Sequence, residues 1–197
     1  MSTNVAKPRG QYAKTAKRRL DIIEAATTVF STRGYHGGSL RDISRELDMS
    51  LTSIVHHFPT KEELLVAVLE NADTQAAWFV EEAKANGLHA AALRLWNFNA
   101  KHPELLRLLA IVAAEASDPG HPAHAWFQKR YRSVVDGMAE LISHDQSCGR
   151  IPAAIEAVTA ASLFIATWDG LQLQWLIDPS RDLEPQFRSY LTQLLAP

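Results

Sequence analysis

Residues 39–58, SLRDISRELDMSLTSIVHHF, decide the fold. Ser39 stands three residues before Asp42 at the head of an apolar-periodic run ending near Leu47, a variant of the capping box. Asp48-Met49 breaks the period, and Asp visits left-handed backbone more readily than most residues. Ser50 then caps a second short helix to about His57. Phe58-Pro59 ends it, because a residue before proline is pushed out of the helical region. Two short helices joined by a tight break have the spacing of a helix-turn-helix, whose second helix enters the DNA major groove while the first crosses the backbone. That spacing is common among helical proteins, so the flanks must support the reading.

Upstream, Ile22, Ile23, Ala26, Val29 and Phe30 form a helical stripe within about residues 15–33, and Gly34 sits where a C-terminal cap belongs. Residues 1–13 are polar, contain Pro8 and Gly10, and predict a flexible basic arm. Downstream, Thr60 and Glu63 make a second capping box, opening one long helix expected to run from 61 to about 85, where Asn86-Gly87 stops it. Further helices are expected at about 88–101, 103–116, 122–144, 153–176 and 184–195. They are separated by Pro103 at a helix start, Asp118-Pro119-Gly120, the 147–152 loop and Asp178-Pro179. No alternating strand and no repeat of fixed period stands out. The expected class is all-α, with about nine helices.

A chain of 197 residues that is 47% hydrophobic and 21% charged reads as an ordinary globular protein and excludes collagen-like or low-complexity classes. In the hydrophobic second half the longest uncharged stretch is Ala157–Trp168, 12 residues, too short for a bilayer, which needs about 18 or more. The polar, basic opening residues predict no secretory leader. One cysteine, Cys148, allows neither an internal disulfide nor a CxxC site, so a reducing cytoplasm is the expected compartment. Charge is divided unevenly. Residues 1–61 hold ten Lys and Arg against five Asp and Glu, a formal +5, while residues 62–197 hold ten against seventeen, a formal −7. A basic head on an acidic body suits a head that meets a polyanion. All five Trp lie in the body.

The stretch Arg19–Leu65 resembles the DNA-binding domain of the TetR family of one-component bacterial repressors. The resemblance runs through Ile23, Ala25-Ala26, Phe30, Gly34-Tyr35, Ser39, Asp42-Ile43, Ser50, His57-Phe58 and Lys61-Glu62-Glu63-Leu64-Leu65. Trp168-Asp169-Gly170-Leu171-Gln172, followed by Asp178-Pro179, is similar to that family's penultimate helix. The resemblance implies a homodimer with an N-terminal DNA reader and a C-terminal sensor whose small-molecule inducer releases DNA. It divides the chain into an arm (1–13), a helix-turn-helix domain (14–60) and a ligand-binding and dimerisation domain (61–197), with helix 61–85 connecting the last two. The chain departs from the family pattern at Asp48, where Gly is usual, at Thr52, where Gly or Ala is usual, and at Val55, where Tyr is usual.

The expected DNA-binding residues are Lys17, Arg18, Ser39, Ser50, Leu51, Thr52, Ser53, Val55, His56, His57 and Lys61, with Lys14 adding to the basic charge. The second helix offers no Arg, Lys, Asn or Gln at Leu51, Thr52, Ser53, Val55 or His56, so bidentate base pairs, each worth about 1–3 kcal/mol, are missing there. Readout is expected to use thymine-methyl contacts and DNA shape, with the basic residues supplying affinity. Lys61 sits in a helix first turn, where the dipole disfavours a cation by roughly 0.3–1 kcal/mol unless a phosphate approaches. The resemblance places a phosphate-contacting lysine at this position; the alternative is a solvated side chain.

The family places its inducer pocket among the middle helices, which nominates Trp96, Asn99, Glu115, Arg130, Tyr131 and Trp168. Aromatics at helical spacing equally describe a core. His121 and His124, three apart, have no clear third metal ligand, and Cys148 with His144 and Asp145 has no oxyanion motif. No cofactor, metal or membrane partner is expected. The competing readings are a ligand-binding helical protein that has lost operator recognition and a small helical enzyme using His121, His124 or Cys148. Ala157, Ala160, Ala161 and Gly170 permit close helix approach, and the family pairs its last two helices, here about 153–176 and 184–195, across a two-fold axis.

Overall fold

The structure, a computed structural model, describes residues 9–195. Among these residues all regular structure is helical. Ten helices follow in chain order: α1 (Arg9–Gly37), α2 (Leu40–Glu46), α3 (Leu51–His57), α4 (Lys61–Gln75), α5 (Trp78–Asn86), α6 (Leu88–Asn99), α7 (Pro103–Glu115), α8 (His124–Ser147), α9 (Ala157–Ile177) and α10 (Glu184–Leu195).

The short helices start where the sequence places caps. Ser39, Ser50 and Thr60 have extended backbone, and their hydroxyls accept the backbone N–H groups of Asp42, Ser53 and Glu63. Asp48 has φ 49°, which lets the chain turn between α2 and α3 without a glycine. Gly34 has φ 68° and interrupts the helical backbone near the end of α1.

Three expected boundaries are corrected. The arm expected over residues 1–13 lies outside the described residues for 1–8, while Arg9–Ala13 are helical and extend α1. Gly10 costs such a helix only about 1 kcal/mol, and the following run through Lys17 is rich in helix formers. The single helix expected over 61–85 is two helices. Ala76 closes α4 with its N–H on the carbonyls of Asp73 and Thr74, and Phe79 N–H bonds Ala76 O across the break. No Gly or Pro marks that site; the chain turns there because its two sides serve different cores. The helix expected from 153 begins at Ala157, because Glu156 caps it through Val158 and Thr159 N–H. Gln146 meanwhile holds the preceding turn by donating to the carbonyls of Pro152 and Ile155.

Two apolar clusters organise the molecule. The first joins Ile22, Phe30, Ile43, Ile54, Phe58, Leu64 and Leu69 with Leu108 and Val112 of α7. The second joins Leu88, Trp96, Ile142, Phe164, Trp168 and Phe187 from α6, α8, α9 and α10. Each fully buried side chain of this size contributes about 1.5–3 kcal/mol. Packing therefore does not follow the division at residue 60: α4 and α7 complete the core on which α2 and α3 rest. The second cluster is anchored by Asp145, which accepts Leu88 N–H at 2.8 Å and Arg150 at 2.6 Å. Burial raises the Asp145 pKa, but these bonds outweigh it and hold the carboxyl below its usual value.

Candidate functional site

The first candidate site is the outer face of α3. Ile54 is fully buried and anchors the helix on the first cluster, which turns Thr52, Val55 and His56 outward. Leu51, Ser53 and His57 are half-buried at its flanks, and Ser50 is exposed while its hydroxyl caps the helix. Ser39 is similarly occupied: it accepts Asp42 N–H and donates to the Asp42 carboxylate, whose pKa this bond lowers with help from Arg33 and Arg45. Lys14 and Lys17 are exposed on α1, and Arg18 reaches the Met49 sulfur at 3.7 Å, bracing the turn before α3.

Arg19 was not among the expected site residues, yet it holds the far end of α3. Its guanidinium donates to His57 O at 2.9 Å and lies 4.0 Å over the Phe58 ring. Its separation of 38 residues from His57 hides this contact from any local pattern. His57 is held below the usual histidine pKa by burial first, then by His56, Arg19 and Arg18.

Lys61 opens α4 half-buried, with Nζ 4.1 Å over the Tyr35 ring. Burial lowers its pKa against the pull of Glu62 and Glu115. The Tyr35 hydroxyl donates to Glu62 Oε1 at 2.9 Å. On its other side Tyr35 N–H donates to Glu115 Oε2 at 2.9 Å. Glu115 therefore lies at the junction of α7 with the α3-bearing cluster and lines no part of the larger cavity, contrary to the expectation of a ligand contact. The reason is its position: α7 ends there, and its last carboxylate finds the N–H group that the turn at Gly34 leaves free.

The second candidate site is a cavity of about 570 Å³ among α4–α9, a volume suited to a small organic ligand. Asn99, Arg130, Tyr131 and Trp168 line it, as do Asp73, Phe98 and Asp169, which were not among the expected ligand residues. Arg130 Nε donates to Asp73 Oδ1 at 2.8 Å, and the Tyr131 hydroxyl donates to Asp169 Oδ2 at 2.9 Å. Trp96 belongs elsewhere. It is buried, stacks on Phe187 at 4.9 Å and meets the Trp168 edge at 5.8 Å, so it touches only a smaller cavity of about 280 Å³ beside the α9–α10 loop.

The two histidines of the enzyme reading are both held by backbone groups. His121 Nδ1 accepts Ala123 N–H at 3.1 Å and His124 Nδ1 bonds Ala116 O at 2.8 Å, which turns each ring toward backbone. Among the described residues no group of three His, Cys, Asp or Glu is placed to hold a metal ion. Cys148 is exposed. No described helix is long and apolar enough to cross a membrane.

Residues 22–68, which carry the α2–α3 unit and its supporting helices, match the family model for bacterial regulatory proteins of the tetR family. Over these residues the chain carries a tetR-family regulator domain. It is 23% identical to the A-factor receptor protein of Streptomyces griseus across 89% of its own length and 62% of that protein's. It is 24% identical to the transcriptional repressor DhaR of Mycobacterium sp. strain GP1 across 91% and 92% of the two chains. The fold matches a TetR-family transcriptional regulator from Agrobacterium tumefaciens with a TM-score of 0.79 at 22% identity, covering 92% of this chain and all of that one. In this chain the helix-turn-helix precedes a larger all-helical body.

Proposed function

We propose that the chain is a homodimeric repressor whose operator affinity falls when a small molecule fills the cavity of about 570 Å³. One observation carries this reading: α7 lines the cavity through Leu105, Leu106, Leu109, Ala110, Ala113 and Ala114, and the same helix ends at the Glu115 carboxylate that accepts Tyr35 N–H. A ligand displacing α7 moves Glu115, and with it the Tyr35–Glu62 link to the start of α4. Coupling of this kind needs a shared element with different contacts in the two states. The family's named receptor and repressor members support the same assignment.

At the DNA, Thr52, Val55 and His56 meet the major groove, and Lys14, Lys17, Arg18 and Lys61 meet phosphates. Support for the dimer comes from α9, which leaves Val158, Leu163, Leu173 and Ile177 at least half exposed, 76% at Ile177. A second copy covering this face sets two α3 helices about one DNA turn, ~34 Å, apart. The test is binding of the purified chain to DNA upstream of its own gene across a salt series. A salt-dependent preference for one fragment over scrambled competitor is expected; equal binding to both overturns the proposal.

A further inference from the structure

The charges on the cavity wall do not balance. Its charged lining residues are Asp73, Arg130 and Asp169, two carboxylates against one guanidinium. Arg130 is committed to Asp73 at 2.8 Å, whereas Asp169 is bonded by the neutral Tyr131 hydroxyl. Leu109, Val134, Phe164 and Leu173 make most of the surroundings apolar, and the aromatic side chains of Phe98, Tyr131 and Trp168 complete the lining.

We infer that the effector is an organic cation: an amine-bearing apolar molecule whose charged group seats at Asp169 and whose body fills the cavity beneath α7. This rests on the reading of the cavity as the effector site. When any ligand expels water from the cavity, the Asp169 carboxylate loses its solvation. A neutral ligand leaves that loss uncompensated and an anion adds repulsion, while a cation restores neutrality in a medium that strengthens the attraction. Asp169 is exposed on α9, yet the protein atoms packed around its carboxyl already push its pKa upward, with Tyr131 and Arg130 pulling it back without reversing the direction. Tyr131 itself is pushed up to about 12, by burial first and then by Asp169, so it stays a neutral donor. A neutral ligand therefore drives Asp169 to take up a proton, and a cation does not.

The test uses the full chain and three probes of one size, decylamine, decanol and decanoate, each below its micellar concentration or solubility limit at pH 7. Affinities are read from tryptophan fluorescence, with retention of the bound operator fragment measured in parallel. Decylamine is expected to bind at least about tenfold tighter than decanol and decanoate to bind weakest. Asp169→Asn, which preserves an acceptor for Tyr131, is expected to remove the amine's advantage by weakening decylamine and tightening decanol, since no carboxylate is then left to desolvate. An amine affinity untouched by Asp169→Asn, a preference for decanoate, or a variant whose only effect is a weaker dimer overturns the inference. Operator release by decanol or decanoate, matching that by decylamine, upholds the cavity as effector site while rejecting the cation. Absence of operator binding rejects the repressor reading alone, since amine selectivity is measured without DNA.

Discussion

Gly34 shows how much one position carries. Its φ of 68° disfavours any side chain, and a Cβ added there runs into Glu115 Oε1. With ψ 176° this conformation is open to almost nothing but glycine, so Gly34→Ala is expected to lower stability by about 2–3 kcal/mol, a backbone cost of roughly 1–3 kcal/mol plus displacement of Glu115, as read by urea unfolding. Adding Glu115→Ala is expected to relieve the clash but to recover neither the backbone cost nor the bond to Tyr35 N–H. Lys61 carries a different load. Poised between the Tyr35 ring and the α4 N-terminus, it is free to trade a cation–π contact for a phosphate. Lys61→Ala is expected to weaken binding on all duplexes alike and reduce the salt slope by about one unit in a fluorescence-anisotropy series.

At the scale of elements, α7 matters most because it belongs to both sites. Glu115→Gln keeps an oxygen for Tyr35 N–H but loses the charge facing His121 at 3.7 Å. The variant is expected to bind operator and to shift the ligand concentration needed for release, measured with any compound that dissociates the wild-type complex; an unaltered release curve removes α7 from the route. His121 adds a pH dependence to the same junction. Its Nδ1 must be unprotonated to accept Ala123 N–H, and burial, then Glu115 in opposition, then His36, set its folded pKa below the usual value near 6.5; Asp118 and Lys61 also face it. The unfolded chain therefore binds this proton more readily, and stability held above about pH 6.5 is lost as pH falls. His121→Asn keeps an acceptor without titrating there, so its Tm is expected to fall less than the wild type's between pH 7.5 and 5.5.

The whole molecule leaves one face of α9 unfinished. Apart from its chain neighbours and its own helix backbone, Gly170 has no heavy atom within 4 Å of where its Cβ would stand, so a side chain begins there without a clash inside the single chain. Gly170→Leu is expected to retain the helical fold and thermal cooperativity yet shift sedimentation from dimer to monomer and abolish high-affinity operator binding. A dimeric Gly170→Leu moves the interface off this part of α9.

Caps, turns and core stripes were legible in the sequence because they are local: Ser39, Ser50 and Thr60 act within three residues, and Asp48 sets its own backbone. The helix-turn-helix followed from those signals, and so did the all-α class. Tertiary structure alone decided the rest. The break at Ala76 has no sequence marker, since it arises from two cores competing for one helix. Glu115 and Trp96 left the expected ligand set, and Asp73 and Asp169 joined the cavity, because which face of a helix meets a void depends on how distant helices pack. Sequence determines what each short segment can form; contacts between residues 57 or 80 positions apart, such as Arg130 with Asp73 or Tyr35 with Glu115, exist only once the whole chain has closed around them.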